Sequence, residues 1–127
     1  MQAATDFSLI QKAQEGVSIE VFDQLLQDSG LSKNELSQIL GIDPRTIDNY
    51  RKSTKPFDTL KGELLLKLKE LFTLGEEVFG SSEDFKAWLH LPAGEFNNTL
   101  PLFLLATSTG VDLVAEQLER IAQGYVV

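Results

Sequence analysis

Arg45, Thr46, Asn49, Arg51 and Lys52 crowd into one short segment and bring to it the donors and acceptors that read nucleic acid. Arg45 and Asn49 are four residues apart, so a helix sets them one above the other on one face. An arginine there fits the O6 and N7 acceptors of guanine, and an asparagine fits the N6 and N7 pair of adenine. Thr46 suits a phosphate or a thymine methyl. Arg51, Lys52 and Lys55 suit flanking phosphates, with Lys33 a further cation of the same basic segment. Asp48 repels phosphate unless it pairs with Arg45, Arg51 or Lys52, or accepts a bond from cytosine. The expected chemistry is noncovalent reading of double-stranded DNA; the plainer alternative is a helical hairpin with a solvated polar face.

Those side chains need two helices behind them at a fixed angle, and the apolar residues supply the framework. Leu36 and Leu40 line a first helix, Ile42 plugs the turn, and Ile47 and Tyr50 seat a second helix on the first. Ser32 and Glu35 have the spacing of a capping box at the start of the first helix. Gly41 ends that helix, because glycine adopts the left-handed conformation at low cost. Asp43 caps the second helix and Pro44 fits its first position. Small Ser37 falls where the two helices come closest. From Ser32 to Lys52 the sequence therefore predicts a helix-turn-helix.

Other chemistries find little support. His90 is the sole histidine, and there is no cysteine, serine-nucleophile motif, phosphate loop, dinucleotide fingerprint or metal-ligand spacing. No catalytic, cofactor-binding or metal residue is expected, and the enzyme reading is set aside. The absence of cysteine fits a reducing compartment. No signal peptide is readable in MQAATDFSLIQK, and the longest apolar run, Leu100 to Thr107, is too short to span a bilayer. A cytoplasmic location without a membrane partner is expected.

Formal net charge is −8 over 127 residues, which by itself opposes phosphate binding. The distribution changes that reading. From Leu31 to Gly62 six bases face four acids, whereas from Glu63 onward four bases face ten acids. Two surfaces with two kinds of partner are implied, unless the acidic helices are simply solvated.

Nearly every other segment also reads as helix. Val17 to Gln27 stops at Gly30; Leu60 to Phe79 is long, with an interruption or kink near Gly75; Ser82 opens a short helix through Phe85, Trp88 and Leu89. Leu91 to Gly94 and Asn97-Asn98 read as loop. Pro101 to Thr107 reads as a short apolar helix that must be buried, and Gly110 separates it from a last helix through Val111, Val114, Leu118 and Ile121. Trp88, Leu102, Leu104 and Leu105 are expected in the core. Arg120, one turn after Glu116, has the spacing of a weak surface pair. Gly124-Tyr125-Val126-Val127 is either tucked into the domain or offered to a partner. The fold class expected is all-α, with residues 1–60 a helix-turn-helix region and residues 61–127 a second helical domain.

The order Val78-Phe79-Gly80, Ala87-Trp88-Leu89, Leu91-Pro92, Leu100-Pro101-Leu102, Leu104-Leu105, Ala106-Thr107, Thr109-Gly110, Val114, Leu118, Arg120-Ile121 and Gly124 resembles the C-terminal domain of the Xre/MbcA/ParS antitoxins. Gly30-Leu31-Ser32, Glu35-Leu36, Arg45-Thr46, Leu60 and Glu63 extend the resemblance toward the N-terminus. Phe96-Asn97-Asn98-Thr99 departs from the family's Gly-rich stretch, Glu63-Leu64 from its Glu-Ser, and Tyr50 and Lys52 from more basic positions. The resemblance implies a type II antitoxin. Residues 61–127 would bind a cognate RES-type toxin that uses NAD, and support a homodimer. The helix-turn-helix would repress the operon by binding operator DNA. A plain repressor without a toxin is the alternative. The toxin-binding residues implied are Arg120, Gly124, Tyr125, Val126 and Val127, and no cofactor is implied.

Overall fold

The structure, a computed structural model, describes residues 3–124, with side chains from Asp6 onward. Eight α-helices follow one another among the described residues: α1 Ala3–Glu15, α2 Ile19–Ser29, α3 Lys33–Leu40, α4 Pro44–Ser53, α5 Thr59–Phe79, α6 Ser82–Leu89, α7 Pro101–Leu104 and α8 Ser108–Ala122. A single 3₁₀ turn, Gly94–Phe96, interrupts the segment that reads as loop. Two isolated antiparallel bridges, Val17 with Phe57 and Ala93 with Thr99, are the only β pairing among the described residues. The all-α expectation therefore holds. α1 is an element that the sequence patterning does not announce.

α5 is the axis of the fold. It packs against α1, α2, α3, α6 and α8. A single cluster of buried apolar side chains runs from Phe22, Leu36 and Ile47 through Leu65 and Leu68 to Phe85, Leu105 and Leu118. The helix-turn-helix thus rests on the same α5 that supports α6 and α8.

α5 is continuous over its 21 residues, which corrects the expected interruption near Gly75. Glycine there makes room: a Cβ on Gly75 would lie 2.3 Å from the Phe85 ring. The ring packs into that gap and meets Phe72, Phe79 and Trp88 at centroid distances of 5.1, 6.0 and 6.1 Å. Trp88 is buried, as its spacing predicts.

Two further expectations are corrected around α7. The helix ends at Leu104, and Phe103 is 63% exposed, so this apolar segment is only partly buried. Leu102 and Leu105 face the core, while Leu104 is half-buried. Gly110 lies inside α8, the helix having started at Ser108 under a Thr107 cap. A Cβ on Gly110 would lie 1.7 Å from the Leu104 carbonyl oxygen, so the absent side chain lets α7 and α8 close on each other.

Candidate functional site

The capping box predicted for α3 is formed. Ser32 Oγ accepts from the Glu35 backbone N–H at 3.0 Å, and Glu35 Oε1 accepts from the Ser32 N–H at 3.0 Å. The far end of α3 closes with a paired backbone motif. Gly41 (φ 67°) donates to Gln38 O, and Ile42 donates to Ser37 O, each at 3.0 Å. This arrangement needs a left-handed residue after the last helical turn and tucks the following apolar side chain, here buried Ile42, under the helix. Asp43 then caps α4 by accepting from the Arg45 N–H at 2.8 Å, with Pro44 at the first position. Ile47 is fully buried and Tyr50 half-buried against the core. α4 is held by its inner face, with its outer face in solvent.

On that outer face the arginine side chain of Arg45 is 94% exposed. Asn49, Lys52 and Lys55 are exposed, and Thr46 is half-buried. Lys55 Nζ stands 5.3 Å from the centroid of the Tyr50 ring, a cation–π contact that positions it at the end of α4.

Lys33 and Arg51 are held differently. Lys33 Nζ donates to Asp48 Oδ1 at 2.6 Å, and Arg51 Nη1 donates to the same oxygen at 3.0 Å. Arg51 also reaches α2, its Nη2 lying 2.6 Å from Asp23 Oδ1. Of the pairings open to Asp48 in the sequence, the one with Arg51 forms, joined by Lys33. The Lys33 hydrogen bond, with the charges of Lys33 and Arg51, lowers the Asp48 pKa. The bond to Asp23 leads the causes that raise Arg51. This network ties α2, α3 and α4 together along one side of α4. Asp23 is not marked by the sequence, because nothing local identifies a partner 28 residues away.

A second cross-connection joins the helix-turn-helix to α6. His90 Nε2 lies 2.6 Å from Glu35 Oε2, and Nδ1 lies 2.7 Å from the Lys86 carbonyl oxygen. Both ring nitrogens face acceptors, so both donate when the ring is protonated.

Two of the residues implied as toxin contacts, Arg120 and Gly124, lie at the end of α8 and just past it. Arg120 is exposed in the last turn of α8, and no ion pair joins it to Glu116 among the described residues. Gly124 follows α8 in the left-handed region at φ 91°. Tyr125, Val126 and Val127 lie outside the described residues. Lys67, almost fully buried, fastens α5 to the start of α8 through Ser108 Oγ and Asp112, both at 2.6 Å. Among the described residues no cluster of histidine and carboxylate side chains has the composition of a metal site, and no helix is long and apolar enough to cross a membrane.

Comparison with known proteins agrees with this division of labour. A family model described as the antitoxin Xre-like helix-turn-helix domain matches residues 8–68. A second, described as the antitoxin Xre/MbcA/ParS C-terminal toxin-binding domain, matches residues 74–124. The chain is similar to antitoxin Xre of Pseudomonas putida strain KT2440, with 27% identity over 124 residues, covering 98% of this chain and 77% of the relative. Its fold is similar to a chain in the crystal structure of the M. tuberculosis MbcT–MbcA toxin–antitoxin complex. The TM-score is 0.69 at 17% identity, covering 86% of this chain and 96% of the other. With a helix-turn-helix domain followed by a toxin-binding domain, the chain belongs to the Xre/MbcA/ParS antitoxin family.

Proposed function

We propose that this antitoxin neutralises a RES-type, NAD-using toxin and, as a homodimer, represses its own operon from the cytoplasm. The observation that carries the reading is an exposed basic helix face joined through α5 to an acidic second half of the chain. α4 presents Arg45, Asn49 and Lys52 to solvent, while the segment from Glu63 onward is strongly acidic. A toxin that uses NAD must hold a dianionic pyrophosphate, and its cleft is therefore positive; an acidic antitoxin surface speeds encounter with such a cleft. Likeness to the Pseudomonas putida antitoxin and to a chain of the MbcT–MbcA toxin–antitoxin complex supports the same pairing.

In this reading Arg45 and Asn49 contact bases, Thr46, Lys52 and Lys55 contact the backbone, and Lys33 and Arg51 approach phosphate while fixing α4. Arg120 and residues 124–127 contact the toxin, and the toxin-binding part is residues 61–127, which share one core with the DNA-reading residues 1–60. One short reading helix makes few contacts, and a pair on successive turns of DNA makes twice as many, which supports a dimer.

Co-expression with the RES-type toxin encoded beside the gene tests the whole reading. Arg45→Ala with Lys52→Ala should lose operator repression and keep growth rescue. Tyr125→Ser, Val126→Ser and Val127→Ser together should lose rescue and keep repression. Sedimentation should give a dimer at micromolar concentration. A chain that represses but binds no toxin would be a plain repressor.

A further inference from the structure

α1 and α8 flank α5 without closing over it, and between them runs a groove of about 610 Å³. We propose that this groove docks a cationic amphipathic helix of the partner toxin. The inference rests on the antitoxin reading and adds to it the surface that receives the toxin.

The groove combines two properties. Its apolar walls and floor come from Leu9, Ile10, Leu71, Leu74, Val111 and Ala115. Its carboxylates are Asp6, Glu63, Glu70, Glu116 and Glu119, besides Asp112. Lys67, the one lysine among its lining residues, spends its charge on Asp112 and Ser108. None of the other five carboxylates is in an ion pair among the described residues. Lys12 and Lys69 line an adjoining groove along the other flank of α1, which shares Leu9 and Glu70 with this one, and Lys61 and Arg120, close to Glu63 and Glu119 in sequence, line neither. The potential inside is therefore of one sign, and low-dielectric walls focus it.

Shape and charge together select the occupant. The floor on α5 runs from Glu63 to Leu74, about 16 Å at the helical rise, which matches three turns of a helix. A helix laid in such a groove buries an apolar stripe on the floor and sends flanking Lys or Arg side chains to the acidic walls. A second copy of this chain is a poor occupant: its net charge is −8, and outside α4 its exposed helical cations, Lys12, Lys69 and Arg120, sit singly on three different helices rather than along one apolar stripe. A toxin whose surface must carry positive charge to hold a dinucleotide is the partner that this groove complements.

The test uses the full chain and the neighbouring toxin, with association followed by biolayer interferometry at low and high salt. Glu70→Lys with Glu116→Lys reverses the groove. Glu76→Lys with Glu83→Lys makes the same change of net charge on exposed positions that do not line it. The groove pair should weaken toxin binding at least tenfold, chiefly through slower association and a reduced salt dependence, while the control pair changes it less than threefold. Operator binding should be unchanged in both, showing that the chain still folds. Equal effects of the two pairs would overturn the groove assignment and leave the antitoxin reading standing. Absence of toxin binding by the unaltered chain would overturn the antitoxin reading beneath it. Conversion of a dimer to a monomer by the groove pair alone would give the groove to a second copy and overturn the proposal.

Discussion

Removing His90 should cost stability in mildly acid solution and much less in alkali. The ring bridges two elements distant in sequence, with Nδ1 2.7 Å from the Lys86 carbonyl oxygen and Nε2 2.6 Å from Glu35 Oε2, and when protonated it donates to both. The Lys86 carbonyl first, and the Glu35 carboxylate second, raise its pKa above the ordinary value against partial burial and the charge of Lys86. Glu35 is lowered, first by the Ser32 backbone N–H and then by His90. A raised histidine contributes stability in full below its unfolded pKa of about 6.5, and that contribution is lost as pH rises through the folded pKa. The lowered glutamate acts oppositely: its share is present above about 4.3 and lost as pH falls through the folded value. The two side chains are 35% and 30% exposed, so water screens the pair. It is worth about 1 kcal/mol rather than the several of a fully buried pair. At about pH 5.5, His90→Ala should therefore cost about 1 kcal/mol. Glu35→Ala should cost about 2 kcal/mol, because it also strips the Ser32 N–H of its acceptor. The double variant should cost about 2 kcal/mol rather than 3, leaving a coupling of about 1 kcal/mol. For a chain of 127 residues each kcal/mol moves the Tm by about 4 °C. Thermal melts of the four proteins at about pH 5.5 and about pH 9 measure the cycle. The coupling should at least halve at the higher pH. A coupling of zero at the lower pH, or one that does not change between the two, would refute the reasoning.

Three more outcomes follow from particular contacts. Arg45→Ala should cost about 1–3 kcal/mol at the operator and relax preference at one base pair, whereas Lys52→Ala should weaken specific and random duplexes alike and lower the salt slope by about 1, as read by fluorescence anisotropy titrations. Ser37 Oγ is buried without a hydrogen-bond partner among the described residues. Ser37→Ala should stabilise the chain by about 1 kcal/mol, by removing an unsatisfied hydroxyl and improving helix propensity, and a lower midpoint in urea would contradict this. Gly110→Ala places a Cβ against the Leu104 carbonyl, which is backbone and cannot swing aside, so the cost should be about 3 kcal/mol or more, visible in the same urea titration.

What the sequence disclosed and what it hid divide by the range of the interaction. Ser32 with Glu35, Gly41 with Ile42, and Asp43 with Pro44 act within three residues, so their types and spacing carry their geometry, and the helix-turn-helix was legible in full. Gly75 misleads for the opposite reason. A glycine within a helical pattern looks like a breaker, and only the Phe85 ring, delivered by the turn into α6, shows that it is a recess. Glu35 discloses its local role as a cap but not its bond to His90, 55 residues on. α1 buries Leu9 and Ala13 and leaves Phe7 and Ile10 exposed, so its apolar pattern has no clean face to read.

The same limit governs charge arithmetic as a guide to a DNA interface. Counting bases treats every cation as available to phosphate, yet pairing decides what each has left to give. Lys33 and Arg51 are already bonded to Asp48, and Arg51 to Asp23 as well, while Arg45 has only a 4.0 Å contact with its own capping aspartate and Lys52 has no ion pair among the described residues. Salt dependence of operator binding counts the counterions released when new phosphate contacts form, and a cation that keeps its carboxylate releases fewer. Each protomer should therefore show a slope set mainly by Arg45, Lys52 and Lys55, smaller than the basic segment's six cations would give if all were free. Asp48→Asn frees Lys33 and part of Arg51, and the slope should then steepen. A slope unchanged by that substitution would mean that Lys33 and Arg51 already leave Asp48 for the phosphates on DNA, and that the network belongs to the unbound protein alone.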